Sequence, residues 1–224
     1  GFKQKLTEFE KDAGLGDHSD PVLQPEAKMA NDFVNVFKEV TNLIKNFNCS
    51  YYLFSDNICI SVNSINDRDL AIELIYTINN LYQKFSDLGY FIRGGMDFGW
   101  MLDEEDIALG VPLANSYLIE NSLAIYPRVV LSNRAKEYLI EIGIDHQFIR
   151  KNCEISYINP FFNVLKTDDK LNFFKRYREK IENQLTISID NEAVFEKFYW
   201  LAREYNSFLK DYCKNISHLE SDLI

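Results

Sequence analysis

The chain alternates between segments whose apolar residues recur every three or four positions and segments where they run in short blocks. From Glu26 to Phe47, Met29, Phe33, Val36, Val40, Leu43 (with Ile44) and Phe47 follow the steps of an amphipathic helix. Two apolar runs, Tyr51–Phe54 and Ile58–Ile60, then read as strands meeting near Asp56. Alternation sets Tyr52 and Phe54 on one face and Tyr51 and Leu53 on the other. A second helix, capped by Asn66 or Asp67, carries a buried stripe of Ala71, Leu74, Ile75, Ile78, Leu81, Tyr82, Phe85 and Leu88 and ends at Gly89.

Tyr90–Met101 reads as a strand, and an acidic turn, Asp103-Glu104-Glu105-Asp106, joins it to a shorter one at Ile107–Gly110. Pro112 suits the first turn of a helix running to Asn121, whose Leu113, Tyr117 and Glu120 share helical spacing, with Tyr117 expected in the core. Arg128–Ser132 reads as a strand, with Ser132 capping the next helix, and Cys153–Ile158 as the last strand. Beyond Asp168 the pattern is helical, with Leu171, Phe174, Tyr177 and Ile181 on one face and Phe195, Phe198, Leu201, Ala202, Tyr205 and Leu209 on the next. Hairpins mixed with crossover helices predict an α+β fold of ferredoxin-like type, a mixed and antiparallel sheet with helices on one face. On this reading residues 1–165 form that domain and residues 166–224 a C-terminal helical annex.

Composition narrows the picture. Of the 224 residues 46% are hydrophobic, and no run of about 18 apolar residues could span a bilayer. The net charge of −10 disfavours bulk nucleic-acid binding, which needs basic charge to displace counterions. An acidic chain still takes an anionic nucleotide if metal ions bridge the two. Cys49, Cys59, Cys153 and Cys213 form no C-x-x-C, and His18, His146 and His218 are equally scattered, so the thiols read as buried and free in a reducing compartment rather than as a zinc site. Opening on Gly-Phe-Lys rather than Met, the sequence suggests a clipped N-terminus.

Three stretches carry candidate chemistry. In "YYLFSDNICISV" the carboxylate of Asp56 either caps a Ser55-Asp56-Asn57 hairpin turn or, fixed at a hairpin tip, holds Mg²⁺ or Mn²⁺ beside substrate phosphates. In "FIRGGMDFGWML" the glycines Gly94, Gly95 and Gly99 are costly in a strand and imply close approach by another backbone or a ligand. Their spacing fits neither a P-loop nor a dinucleotide fingerprint. Arg93 there, and Arg128 after Pro127, either meet an anion with a planar fork or serve as ordinary surface cations. The acids at 103–106 read as a solvated turn.

Together these stretches resemble a class III nucleotidyl cyclase domain, and more closely the bacterial branch of pyrimidine cyclases of Pycsar-type anti-phage defence. That branch reads "D-I-L-G-F-K", "F-S-D-S", "R-G-(G/A)-I", "G-P-A-L-x-x-A-Y-x-L-E", "Y-P-R-I-V" and "K-Y-x-W-L-x-x-Y-H-N". The counterparts here are "GFK" (Gly1–Lys3), "FSDN" (Phe54–Asn57), "IRGGM" (Ile92–Met96), "GVPLANSYLIE" (Gly110–Glu120), "YPRVV" (Tyr126–Val130) and "KFYWLAREYN" (Lys197–Asn206), in order and nearly end to end.

The resemblance implies a cytoplasmic homodimer with the nucleoside triphosphate at its interface and two aspartates holding two metal ions. Attack of the ribose 3′-oxygen on the α-phosphorus would then give a cyclic nucleotide (cCMP or cUMP) that activates a separate effector protein. Asp56 matches the second metal aspartate. Ser55 belongs to the same motif, and Gly1 and Phe2 match the turn that faces the triphosphate. The first metal aspartate is expected about three residues before Gly1, outside this sequence. Ala114 and Leu118 stand where purine cyclases carry an Asn and a transition-state Arg, which argues against an ordinary purine cyclase. Asn115 is one step from the first of these, and Arg93 and Arg128 are the expected phosphate or base contacts. The loss of that Asn/Arg pair also leaves open a catalytically degenerate nucleotide sensor.

Overall fold

The computed structural model describes residues 28–45, 48–54, 57–65, 67–104, 107–144 and 147–212, and divides into two compact units, residues 1–70 and 71–224. The first unit holds helix α1 (Lys28–Lys45), in which Val36, Val40 and Ile44 are buried at the expected spacing, and a hairpin of β1 (Ser50–Phe54) and β2 (Asn57–Ser61). The hairpin is antiparallel, with Tyr52 opposite Cys59 and Phe54 opposite Asn57.

Helix α2 (Arg68–Asp87) starts in the first unit and continues into the second. Asp67 caps it, its Oδ1 accepting from the Asp69 N–H at 3.1 Å. At its end Gly89, at φ +81°, donates to the Ser86 carbonyl, and the Tyr90 N–H returns to Phe85, both at 2.9 Å. That left-handed stop suits glycine. The expected stripe from Ala71 to Phe85 is buried, but Leu88, past the last full turn, is exposed.

The second unit is α+β. Its four-stranded mixed sheet has the order β3 (Gly94–Met96), β6 (Val129–Leu131), β8 (Ile155–Ile158), β7 (Ile149–Asn152), with β3 and β6 parallel and the other neighbours antiparallel. Between β3 and β6 run a separate antiparallel hairpin, β4 (Met101–Glu104) and β5 (Ile107–Gly110), and the helix α3 (Val111–Ser122), with proline in its first turn. Helix α4 (Asn133–Glu141) follows β6, and Ser132 caps it as expected by accepting from the Ala135 N–H at 3.0 Å. A short 3₁₀ turn (Asn163–Lys166) leads to α5 (Lys170–Ile187) and α6 (Glu192–Tyr212). Phe173, Phe174, Tyr177 and Ile181 of α5 and Leu201, Ala202, Tyr205, Phe208 and Leu209 of α6 form one core with Phe161 and Val164, against which Phe91 packs.

Several expectations need correction. The strand expected over Tyr90–Met101 is only Gly94–Met96, because Asp97 leaves the ladder to reach donors on neighbouring elements. Asp103 and Glu104 belong to β4 rather than to a turn. Tyr117, expected in the core, is 66% exposed, since α3 turns its Ser116 and Ile119 side toward β3. Leu171 is likewise exposed, and Phe173 takes its place in the buried face of α5. Strand β7 was not anticipated, and Cys153 is exposed rather than buried, because Cys153 and Glu154 form the β7–β8 turn at φ +46° and +65°.

Candidate functional site

Of the residues singled out from the sequence, Gly1, Phe2, Ser55 and Asp56 lie outside the described residues. The other three lie along α3. Arg93 pairs with Glu120 (Nη2–Oε1 2.5 Å) and donates to the Glu120 and Ala124 carbonyls at 3.5 and 3.3 Å. Arg128 donates to the Leu123 carbonyl at 3.4 Å. Both guanidiniums therefore serve the C-terminal end of α3, where the unsatisfied carbonyls and the helix dipole favour cations. Asn115 lies in the N-terminal half, about 10 Å away along the axis, and donates to Asp97 Oδ2 at 2.9 Å.

The glycines answer to packing. A Cβ on Gly95 would stand 2.1 Å from the Ser116 carbonyl oxygen and 2.9 Å from Ile119 Cβ. One on Gly110 would stand 2.9 Å from the backbone of Met101. Of the two readings, backbone or ligand, Gly95 takes the first: α3 lies directly on β3.

Asp97, which no motif marked, is a carboxylate held from several sides. Its side chain is fully buried and accepts from Ser132 Oγ at 2.5 Å, from Asn115, from Arg134 and from the Phe98 N–H. Burial pushes its pKa up, but the donors Ser132, Asn115, Phe98 and Arg134 outweigh burial and hold it below the usual carboxylate value. A depressed folded value means that the carboxylate adds stability above the unfolded Asp pKa of about 3.9 and loses it as pH falls through the folded value. Asp97→Asn should therefore be less stable than wild type at neutral pH, with the gap closing as pH drops from about 5 toward 3. Urea midpoints across that range check it; a gap that acid leaves unchanged would contradict the assignment.

On the other side of β6, Tyr126, Arg128, Arg150, Trp200, Arg203 and Glu204 line much of a cleft of about 690 Å³. Trp200 stacks on Tyr126 at 4.9 Å with 7° between the planes, and its edge meets Tyr157. The Arg128 guanidinium sits 5.4, 5.3 and 5.1 Å from the centroids of Tyr126, Tyr157 and Trp200. It is 4% exposed, and its Nε meets no hydrogen-bond acceptor among the described residues. Burial lowers its pKa, with Tyr157, Glu204, Tyr126 and Tyr82 acting against that. Desolvating a cation costs several kcal/mol, and each aromatic face returns roughly 0.5–2 kcal/mol, so the rings offset the burial of Arg128 only in part.

Glu204 is a carboxylate whose charge acts on Arg128, but it is already engaged. It accepts from Tyr157 Oη, from Asn152 Nδ2 at 3.2 Å and from Arg150 Nε at 3.4 Å. Arg150 also reaches Ser207 Oγ at 3.0 Å and Asp211 at 3.6 Å, and Lys151 is paired with Glu154 at 2.7 Å. Arg128 and Arg203 have no carboxylate within ion-pair distance among the described residues.

The sequence reading missed Asp97, Trp200, Arg203 and Glu204, although the last three lie inside the quoted "KFYWLAREYN". Their spacing of three and four residues was the available signal, since it puts Trp200, Arg203, Glu204 and Ser207 along one side of α6. Among the described residues no group of three or more His, Cys, Asp or Glu side chains could hold a metal ion, and no helix is long and apolar enough to cross a membrane. No family model, curated protein or solved structure matches the chain.

Proposed function

We propose that the chain is a metal-dependent nucleotidyl cyclase that converts CTP or UTP to a 3′,5′-cyclic nucleotide and pyrophosphate, as a cytoplasmic homodimer signalling to a separate effector in anti-phage defence. The observation that carries this is the convergence of motifs far apart in sequence. The "IRGGM" strand pairs with the "YPRVV" strand, Gly94 opposite Val129. The "GVPLANSYLIE" helix presses on Gly95. The "KFYWLAREYN" helix stacks Trp200 on Tyr126. Four of the six segments that carry the resemblance are thus one packed constellation, on an α+β scaffold compatible with the proposed cyclase-like, ferredoxin-like sheet.

In this reading Asp56 would help hold Mg²⁺ or Mn²⁺, which neutralises the triphosphate charge when bound. The backbone N–H groups at Gly1 and Phe2 would face the phosphates, with Ser55 beside Asp56. The ribose 3′-hydroxyl would pass its proton to solvent as its oxygen bonds to the α-phosphorus, and the bond to the α–β bridging oxygen would break in line to release pyrophosphate. Exposed apolar side chains support pairing of two copies: Ile107 and Leu109 on one face of β5, Val111 and Leu118 one heptad apart on α3, and Trp100. Incubating the full-length protein with Mn²⁺ and each of the four nucleoside triphosphates tests the reading. Cyclic product is expected from CTP or UTP in excess over ATP and GTP, and no cyclic product from any of the four sinks it.

A second reading has its own support. Asn115 is bonded to Asp97 and Arg93 to Glu120, so two expected substrate contacts are satisfied internally, which favours a nucleotide-binding sensor without turnover. Saturable nucleotide binding with no pyrophosphate released would favour it.

A further inference from the structure

One cleft in the unit formed by residues 71–224 is lined by two guanidiniums, Arg128 and Arg203, that have no carboxylate within ion-pair distance among the described residues. Arg128 is buried there on three aromatic faces, and Arg203 stands exposed on α6. The other charges on the walls are accounted for: Arg150 by Glu204 and Asp211, Lys151 by Glu154. In a chain of net charge −10 the long-range field repels anions, so two unmatched guanidiniums at one cleft make a local exception. We infer that this cleft binds a phosphorylated small molecule, its phosphoryl oxygens held by Arg203 and Arg128.

The choice of phosphate follows from charge and size. Two guanidiniums with no ion pair among the described residues suit a phosphoryl dianion, where a carboxylate carries a single charge, and the guanidinium fork suits phosphate oxygens. A cleft of about 690 Å³ has room for a ligand of nucleotide size rather than a lone oxyanion. The charge of Glu204 is offset by its ion pair with Arg150 at 3.4 Å, and Tyr157 and Asn152 donate to the same carboxylate. Cyclisation is not needed for the cleft to bind, so a failure of the cyclase reading leaves this site standing.

Isothermal titration of the full-length protein in EDTA, where metal-dependent turnover cannot run, tests the site with inorganic phosphate, pyrophosphate, UTP and cyclic UMP, and with uridine as the phosphate-free control. At least one phosphorylated probe is expected to bind saturably while uridine does not, and the probe that binds separates a free oxyanion from a nucleotide. Arg203→Gln should weaken that binding by about tenfold or more, the loss of one charge-assisted contact. Lys175→Gln, the same charge change at an exposed position on α5, should leave it within a factor of about two, as expected for a charge screened from the site. The site is refuted if no phosphorylated probe binds saturably, or if Arg203→Gln has no larger effect than Lys175→Gln.

Discussion

Gly95→Ala is expected to destabilise the protein by more than about 3 kcal/mol, at or beyond the top of the range for overpacked sites. The added methyl would stand 2.1 Å from the Ser116 carbonyl oxygen and 3.0 Å from the Glu120 nitrogen, so its obstacles include backbone rather than the mobile end of a side chain. Relief requires lifting α3 off β3, which strips apolar cover from the parallel β3–β6 pair. Gly94→Ala is the control: there a Cβ meets only the Val129 side chain at 3.5 Å, and the change should stay within about 1 kcal/mol. Urea or thermal midpoints of the two variants decide the matter. If Gly95→Ala kept the wild-type midpoint while losing nucleotide binding, the glycine would be serving a ligand and the packing account would fail.

The second large effect is expected at Glu204. Removing this carboxylate takes the acceptor from the Asn152 amide and from the Tyr157 hydroxyl, which keeps only its contact with Arg150, and takes one of two carboxylate partners from Arg150, whose side chain is 13% exposed. Burial works against the charge of Arg150, and Tyr157, Glu204 and Asp211 more than offset it, so its pKa is raised. Glu204→Ala should cost about 3 kcal/mol, the lower end for breaking a buried ion pair, because Asp211 and Ser207 still hold Arg150. Glu204→Gln, which keeps the shape and an acceptor for Tyr157, should cost less. An Ala variant within about 0.5 kcal/mol of wild type would place Glu204 among ordinary surface residues.

Both effects come from places the sequence marks only faintly. The long helices were legible because burial on one side enforces a period near 3.6: α2 and α6 kept most of their expected faces, and α1 buries Val36, Val40 and Ile44, while Met29, Phe33, Leu43 and Phe47 of its expected face lie outside the described side chains. The caps of α2, at Asp67 (one of two candidates with Asn66) and Gly89, and of α4 at Ser132 were legible too, since the residue types themselves satisfy orphan backbone groups. Strand β7 was not: "IRKN" carries no apolar run, and its turn uses Cys153 and Glu154 at positive φ where Asn-Gly would have announced a hairpin. The glycine-bearing segment was read as too long a strand because nothing local shows that Asp97 will be drawn aside by Ser132, Asn115 and Arg134, each from 18 to 37 residues away. The cleft is a tertiary fact of the same kind. Arg128 could be suspected as an anion contact, but its aromatic surroundings come from three separate segments, and that no carboxylate among the described residues pairs with it appears only in three dimensions.

The claim on which the functional account turns is that Asp56 helps hold the metal at which a nucleoside triphosphate is cyclised. Phosphorus NMR of the full-length protein with Mn²⁺ and UTP or CTP, run beside Asp56→Ala, addresses it most directly. The account predicts cyclic nucleotide and pyrophosphate in equal amounts from the wild type, and a rate lower by about a hundredfold or more in the variant, since a bound metal contributes several kcal/mol at the transition state. Equal rates from the two proteins, or triphosphate that stays intact with both, would contradict it.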